Sequence, residues 1–395
     1  MKQSSTQAQI SITTIGLAIF SMLFGAGNII YPIKAGVLAG SKNCIGITGF
    51  LLTGVFLPVI GLIAMILFDG NYKKFFNRLG KVPGFLAILF CMLVIGPLIA
   101  MPRCITVPYD MIHPFLPGWI NLPIFSVLFS LITFALTYKE SKLLEILGNV
   151  LSPILLASLA FITLKGVFSA STMVTQTTPT LQIFSEQVIH GFQTLDLLGT
   201  MFFAYIVIRI LKSQKTEHKL STKELAFHSL QGGLIGAALL AIVYVGFSYL
   251  GAYYGHFLDP AMNGAQMFRA IALQIVHQYG VLVIVTAVLM ACFSTISALA
   301  AVLAEYLRYE LFKKKIGYIP SLAITLAITT FIANFGLSNI LKYSTPFINI
   351  GYPIIISIVC CNLAYSLCGF KPIKLPVGIV SIIVVGSQLY GYFIG

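Results

Sequence analysis

The sequence predicts an all-α polytopic membrane protein, arranged as a 5+5 inverted repeat with discontinuous helices 1 and 6 plus a C-terminal helix. Three observations carry this reading. The composition suits lipid, the basic residues collect on one side of the apolar runs, and two apolar runs at corresponding positions are interrupted in mid-span.

Composition excludes most alternatives. Of 395 residues, 58% are hydrophobic and 9% charged, and the mean hydropathy is +0.96. A soluble globule carries close to a quarter charged residues, so this chain belongs in a bilayer. The net charge of +13 would suggest nucleic acid for a soluble chain, but here the basic residues fall in short connectors. The lipid bilayer and a small substrate are the partners this pattern calls for, with no nucleic acid and no obligate protein partner evident. Cys44, Cys91, Cys104, Cys292, Cys360, Cys361 and Cys368 show no CxxC or Cys/His spacing. They are expected to be small membrane-buried side chains, not disulfides or metal ligands.

Helix 1 lies in the apolar run from about Ile10 to Leu38, long enough to cross a bilayer core and too long for a cleavable signal. It is expected to remain in the mature protein. Its middle, Gly16 to Pro32, reads GLAIFSMLFGAGNIIYP. Gly25 and Gly27 each cost about 1 kcal/mol of helix propensity, at a depth where no water compensates. A break there frees N–H groups that hold a carboxylate and carbonyls that hold a cation. The same small residues would also serve as a close-packing face between helices. Asn28 and a second broken helix favour the break.

Later apolar runs predict helices at about 43–68, 84–106, 122–137, 143–168, 191–211, 225–252, 280–307, 319–334, 345–367 and 375–394. With the N-terminus cytoplasmic, 18 of the 24 basic residues lie inside, in connectors such as 69–83, 209–223 and 308–316. Only Lys34, Lys42, Arg103, Lys165, Arg269 and Lys342 lie at or near the outer side. This bias supports both the orientation and the helix count, and it puts the C-terminus outside. Residues 169–190 are polar with little charge and read as an outer loop. Residues 261–280 place Phe268, Ile271, Ile275 and Val276 near one face at helical spacing, which predicts an external helix lying over the bundle.

Helix 6 contains TLDLLGTMFFAYIV, where Gly199 and Thr200 interrupt a strong helical run and Asp196 lies towards the outer side. Five helices per repeat make the second repeat inverted, and each repeat then begins with an interrupted helix, the best sequence pointer to a transporter's central site. The single transporter domain (1–395) divides into a first repeat over 10–168, a second over 191–367 and an extra helix at 375–394.

In helix 8, ACFSTISALAAVLAEYL brings together Ala291, Ser294, Thr295 and Ser297. Hydroxyl and carbonyl oxygens without a carboxylate suit a monovalent cation, although membrane Ser and Thr also bond carbonyls of their own helix. No acidic residue lies in the core of helix 1. Asp196 reads as a cap on a half-helix or loop end, and Glu305 as a partner of Arg308. Coupling through neutral oxygens is therefore the simpler reading. Six scattered histidines, no HExxH and no phosphate-binding loop argue against an enzyme. Arg103 is either an anion contact or a side chain snorkelling to the headgroups.

At these residues the chain resembles the bacterial branched-chain amino acid:cation symporter family. FGAGNIIYP (Phe24 to Pro32) resembles its FGAGN-x-x-x-P signature, and IGPLIAMPR (Ile95 to Arg103) its IGP-x-x-A-x-PR signature. GFLLTGVFLPVIGLIA (Gly49 to Ala64) is similar to that family's second helix, and TLDLLGTMFFA (Thr194 to Ala204) to its MDALAALAFG segment. The resemblance implies the inverted five-helix repeat of the sodium-coupled leucine transporter. That more distant comparison implies backbone contacts from Gly25, Ala26, Gly27 and Asn28 to a substrate carboxylate, and an ion contact from Asn28. It also implies a Na+ site from Ala291, Ser294 and Thr295, completed by carbonyls of Ser21 and Phe24.

Two departures stand out. The family has twelve helices where this sequence gives eleven. Phe202 and Ala204 replace a small Ala and a Gly beside the sixth-helix break, implying a bulkier pocket wall. The expectation is a secondary carrier importing leucine, isoleucine or valine across the inner membrane by alternating access, coupled to Na+ or H+. The substrate would meet Gly25 to Asn28, Gly199 and Thr200, with Phe203 against its side chain. A carrier of another small metabolite, or a non-transporting receptor on the same scaffold, are the alternatives.

Overall fold

A computed structural model of the protein describes residues 11–139, 143–170, 172–213, 222–259, 261–277 and 281–394. All the regular structure among them is helical. Six stretches are by length and composition long and apolar enough to cross a membrane, and shorter apolar helices supplement them at Ile12–Leu23, Leu122–Thr137, Tyr318–Ala333 and Lys374–Gln388.

The first pass is two half-helices, α1 (Ile12–Leu23) and α2 (Ala26–Ala39). Phe24 and Gly25 leave helical geometry between them, at φ −74°, ψ 89° and φ −120°, ψ −154°. The second pass joins α3 (Asn43–Leu51) to α4 (Leu57–Leu67) through a wide turn at Leu52–Phe56. A short α5 (Tyr72–Phe76) precedes the third pass, α6 (Lys81–Leu93) and α7 (Ala100–Ile112), which is interrupted where Gly96 leaves helical φ/ψ beside Pro97. Then come α8 (Leu122–Thr137), α9 (Leu143–Ile146) and α10 (Ser152–Ser169).

The sixth pass is again two half-helices, α11 (Thr180–Phe192) and α12 (Asp196–Ser213). The helix starts at Thr180, not near Gly191, so half of the stretch expected to be a polar outer loop is helical. Pro179 starts α11, and Ile183, Gln187 and Gly191 are its buried face, packed with α3, while its other positions mix polar residues such as Gln182 and Glu186 with exposed or half-buried apolar ones such as Leu181 and Ile189. The break is at Gln193–Leu195 rather than at Gly199 and Thr200, both of which sit inside α12. Leu195 adopts φ +66°, a left-handed conformation costly for a side chain of this kind. The second repeat expected over 191–367 would then take in the half-helix from Thr180.

The remaining helices are α13 (Thr222–Tyr254), α14 (Gly264–Val276), α15 (Val281–Tyr306), α16 (Tyr318–Ala333), α17 (Leu337–Cys368) and α18 (Lys374–Ile394). The helix expected over 261–280 is α14, with Phe268, Ile271, Ile275 and Val276 buried against α2 and α10; residues 278–280 of that stretch lie outside the described residues. The tenth pass begins at Leu337 rather than at Thr345, with Lys342 inside it. Cys91, Cys104, Cys292 and Cys361 are buried as expected, but Cys44, Cys360 and Cys368 are on the outer surface of the bundle; all are free thiols.

Both α1 and α2 pack along α13, α12 packs on α4, and α15 on α7 and α10. The α2–α13 contact is backbone against backbone. A Cβ on Gly36 would stand 1.9 Å from the Ser248 carbonyl oxygen, and one on Gly251 would stand 2.2 Å from that of Ile33. With no hydrophobic drive between helices in lipid, this closeness supplies dispersion contact instead. It fixes α2, and hence the α1–α2 break, against the centre of the bundle.

Candidate central cavity

Each end of the first break is held by short-range bonds. Phe24 N–H donates to the Phe20 carbonyl at 2.8 Å and closes α1. Asn28 Oδ1 accepts from Gly25 N–H at 3.1 Å and starts α2. The first-turn N–H groups of Ala26 and Gly27 have no intrahelical acceptor, as at any helix start. Gly25 is close to α15: a Cβ there would stand 2.7 Å from Thr295 Oγ1.

The second break is held across the bundle. Asp196, in the first turn of α12, accepts from Asn28 Nδ2 at 2.8 and 2.9 Å and from Tyr244 Oη at 2.5 Å. Asn28 Nδ2 also bonds Tyr244 Oη. Tyr352 Oη accepts from Leu197 N–H at 3.1 Å, and Thr200 Oγ1 donates to the Asp196 carbonyl at 2.6 Å. Asn28, Asp196 and Tyr244 are all buried. No cation among the described residues pairs with the Asp196 carboxylate, so its charge is met by neutral donors only.

Between the breaks lies a narrow cavity of about 30 Å³, room for ordered water and not for a whole amino acid in this conformation. Gly25, Asn28, Asp196 and Thr295 line it, and Leu23, Ile95, Leu299 and Phe203 give it apolar wall. Arg103, projecting from α7, lines it as well. Its Nη1 donates to the Gln193 carbonyl at 3.1 Å and its Nη2 to Ser344 Oγ at 2.5 Å, while Nε has no acceptor. At 2% exposure Arg103 does not reach the headgroups. One carboxylate, one guanidinium, a helix start and an apolar wall in one small volume suit a zwitterion with an apolar side chain.

Comparison with known proteins decides the family. Residues 8–389 match the family described as branched-chain amino acid transport protein. The chain belongs to that family. This branched-chain amino acid transport protein is 33% identical to the branched-chain amino acid permease BraB of Bacillus subtilis (strain 168), over 87% of this chain and 78% of the relative. It is 28% identical to the permease BrnQ of Escherichia coli (strain K12), over 90% of this chain and 80% of the relative. Both relatives are permeases, and the family is one of carriers, not enzymes.

Among solved structures, the chain is similar to Mhp1, a nucleobase-cation-symport-1 family transporter in a closed conformation, with TM-score 0.65 and 14% identity, covering 99% of this chain and 95% of the other. It is also similar to MhsT in complex with L-phenylalanine, with TM-score 0.60 and 14% identity, covering 96% of this chain and 98% of the other. At these identities the likeness is one of fold, and the fold is that of the leucine-transporter-like carriers.

Within this branched-chain amino acid transport protein, the sequence-derived residues are distributed as follows. Gly25, Ala26, Gly27, Asn28, Gly199, Phe203 and Thr295 line the cavity, whereas Thr200 lines a smaller apolar space with Ile19 and Leu62. Thr295 Oγ1 lies 3.4 Å from the Ser21 carbonyl, which joins α15 to the end of α1. Ser294 Oγ donates to the Ala291 carbonyl at 2.9 Å within its own helix, and the Phe24 ring stacks on Phe20. The pairing of Glu305 with Arg308 is present at 3.5 Å. Phe202 packs against Tyr72 and Phe76 and does not line the cavity, so it adds no bulk to that wall.

Sequence reasoning missed two residues. Tyr244 gave no signal, being one of 18 tyrosines in an apolar helix. Asp196 gave one that was read as capping alone: it was a carboxylate inside a predicted spanning segment.

Proposed function

We propose that the protein is a secondary transporter that imports leucine, isoleucine and valine by alternating access, driven by a cation gradient. The observation that carries the reading is the cavity between two helix breaks, polar where the breaks meet and apolar on the wall of Leu23, Ile95, Phe203 and Leu299. The names of the relatives agree with this choice of substrates. The first-turn N–H groups of Ala26 and Gly27 carry partial positive charge towards a substrate carboxylate, and Gly199 leaves room beside Phe203.

The coupling cation is written as Na+ or H+. Thr295 Oγ1 and the Ser21 carbonyl are the oxygens we assign to a Na+ site, with Phe24, Ala291 and Ser294 completing the set and Asn28 nearest the substrate. Ser294 Oγ donates to the Ala291 carbonyl at 2.9 Å, and both oxygens keep lone pairs that would be free for an ion. Asp196 adds a charge that the neutral-oxygen reading lacked: a buried carboxylate favours whatever cation arrives with the substrate, whether coupling ion or substrate ammonium. We place the protein in a bacterial inner membrane with its N-terminus cytoplasmic and its C-terminus outside, because the basic connectors then face the cytoplasm.

The test is radiolabelled leucine uptake into proteoliposomes, with a sodium gradient and a proton gradient imposed separately. Sodium-driven uptake competed by isoleucine and valine supports both substrate and Na+ site. Uptake driven only by protons keeps the substrate and removes Na+ from Thr295. Folded protein that neither binds nor moves leucine overturns the reading.

A further inference from the structure

Arg103 is a buried guanidinium that pairs with no carboxylate among the described residues, although Asp196 lines the same cavity. It is 2% exposed, and its two bonds are to neutral acceptors, the Gln193 carbonyl and Ser344 Oγ. Its Nε is buried with no acceptor at all. The Tyr31 ring, 5.8 Å from the guanidinium carbon, offers a face but no negative charge. Arginine stays protonated in any protein environment. A buried charge with neutral partners only is costly unless an opposite charge arrives from elsewhere.

The location says from where. Arg103 lines the same cavity as Gly25, Ala26 and Gly27. Its neighbours Tyr31 and Gln193 line a separate opening of about 370 Å³ with Lys34, His190 and Lys342. The guanidinium therefore stands at the partition between a basic vestibule and the cavity. A ligand passing from one to the other meets Arg103 on the way.

We propose that Arg103 binds the substrate carboxylate and determines that this carrier accepts α-amino acids rather than amines of the same shape. The Nε–H supplies a charge-assisted donor that the first turn of α2 cannot, since backbone N–H groups carry only partial charge. Anchored to the Gln193 carbonyl in the sixth-pass break and to Ser344 on α17, the guanidinium also ties the carboxylate to two elements outside α2. The inference rests on the branched-chain amino acid reading and deepens it.

The experiment compares leucine with leucinol, which keeps the amine and side chain but replaces the carboxylate by an alcohol. Both are used as competitors of radiolabelled leucine bound to purified wild-type, Arg103→Gln and Arg103→Lys protein, each checked for monodispersity and thermal melting. Wild type is expected to prefer leucine by about 100-fold, and Arg103→Gln to bind leucine about 30-fold more weakly while leucinol stays within about threefold. Arg103→Lys keeps the charge without the fork and is expected to fall between. A wild type that binds both ligands alike overturns the proposal. So does a folded Arg103→Gln with an unchanged preference, or one that loses both ligands equally, since that marks a structural role. If Arg103→Gln does not fold, the Arg103→Lys preference decides on the same terms. A wild type that binds isoleucine and valine as well as leucine, with an unchanged preference in the variants, leaves the transport reading standing while this inference falls.

Discussion

Asn28 and Asp196, 168 residues apart in the chain, are joined by bonds of 2.8 and 2.9 Å from one amide nitrogen to both carboxylate oxygens. Each residue sits at a helix break. The same Asn28 uses its Oδ1 to cap α2 at Gly25. A single side chain thus starts one half-helix and holds the start of the other, tying the two breaks to each other.

Replacing Asn28 by Ala removes the Gly25 cap and two of the bonds to the Asp196 carboxylate, leaving that from Tyr244 in place. Loss of about 1.5–3 kcal/mol per bond to the carboxylate is expected. In transport, the variant should show weaker apparent cation affinity. A folded variant with unchanged cation dependence would remove Asn28 as a ligand.

Asp196→Asn separates charge from shape, because the amide retains an acceptor for Asn28. If the Asp196 charge meets the coupling cation, the variant should lose gradient-driven uptake and retain exchange of leucine across the membrane. Wild-type accumulation by the variant would show that Asp196 is a cap and nothing more.

Thr295→Val keeps volume and removes the oxygen that faces Ser21. Sodium-driven uptake should fall at least about tenfold, the rate equivalent of one lost charge-assisted bond. Thr295→Ser should largely keep it. Equal loss in both variants would point to packing of the methyl group instead.

Gly25→Ala sets a methyl against three Thr295 atoms at 2.7 to 2.9 Å. Overpacking of about 1–3 kcal/mol is expected, at the site of the break itself. Thermal melting in detergent and leucine binding should both decline. Gly378→Ala, with nothing within 4 Å, is the control that should change neither.

Tyr352→Phe removes the acceptor of Leu197 N–H at the start of α12. About 1 kcal/mol of stability should be lost, read as a lowered melting temperature. An unchanged melt would show that another group takes over that N–H.

The two breaks differed in how readable they were. At Gly25 to Asn28 the chain states its own interruption, with glycines that disfavour helix and an asparagine that caps the next turn. At Gln193 to Leu195 no residue is a breaker, and the nearest glycine, Gly199, is helical. Leu195 is held at φ +66° between groups claimed from other helices: Arg103 bonds the Gln193 carbonyl before it, and Asn28, Tyr244 and Tyr352 bond the Asp196 carboxylate and the Leu197 N–H after it. The half-helix α11 was hidden for a related reason: its buried face is narrow and includes Gln187 and Gly191, so hydropathy averaged it away.

The sequence by itself determined the membrane class, the order of the passes, the break in the first of them and the family, because these follow from composition, spacing and local backbone preference. Tertiary structure alone decided where the sixth pass breaks, that Asp196 and Tyr244 join Asn28, and that Arg103 is buried beside the cavity. Each of those depends on partners tens to hundreds of residues away. A polar side chain in lipid takes its meaning from the group that satisfies it, and that group is chosen by packing.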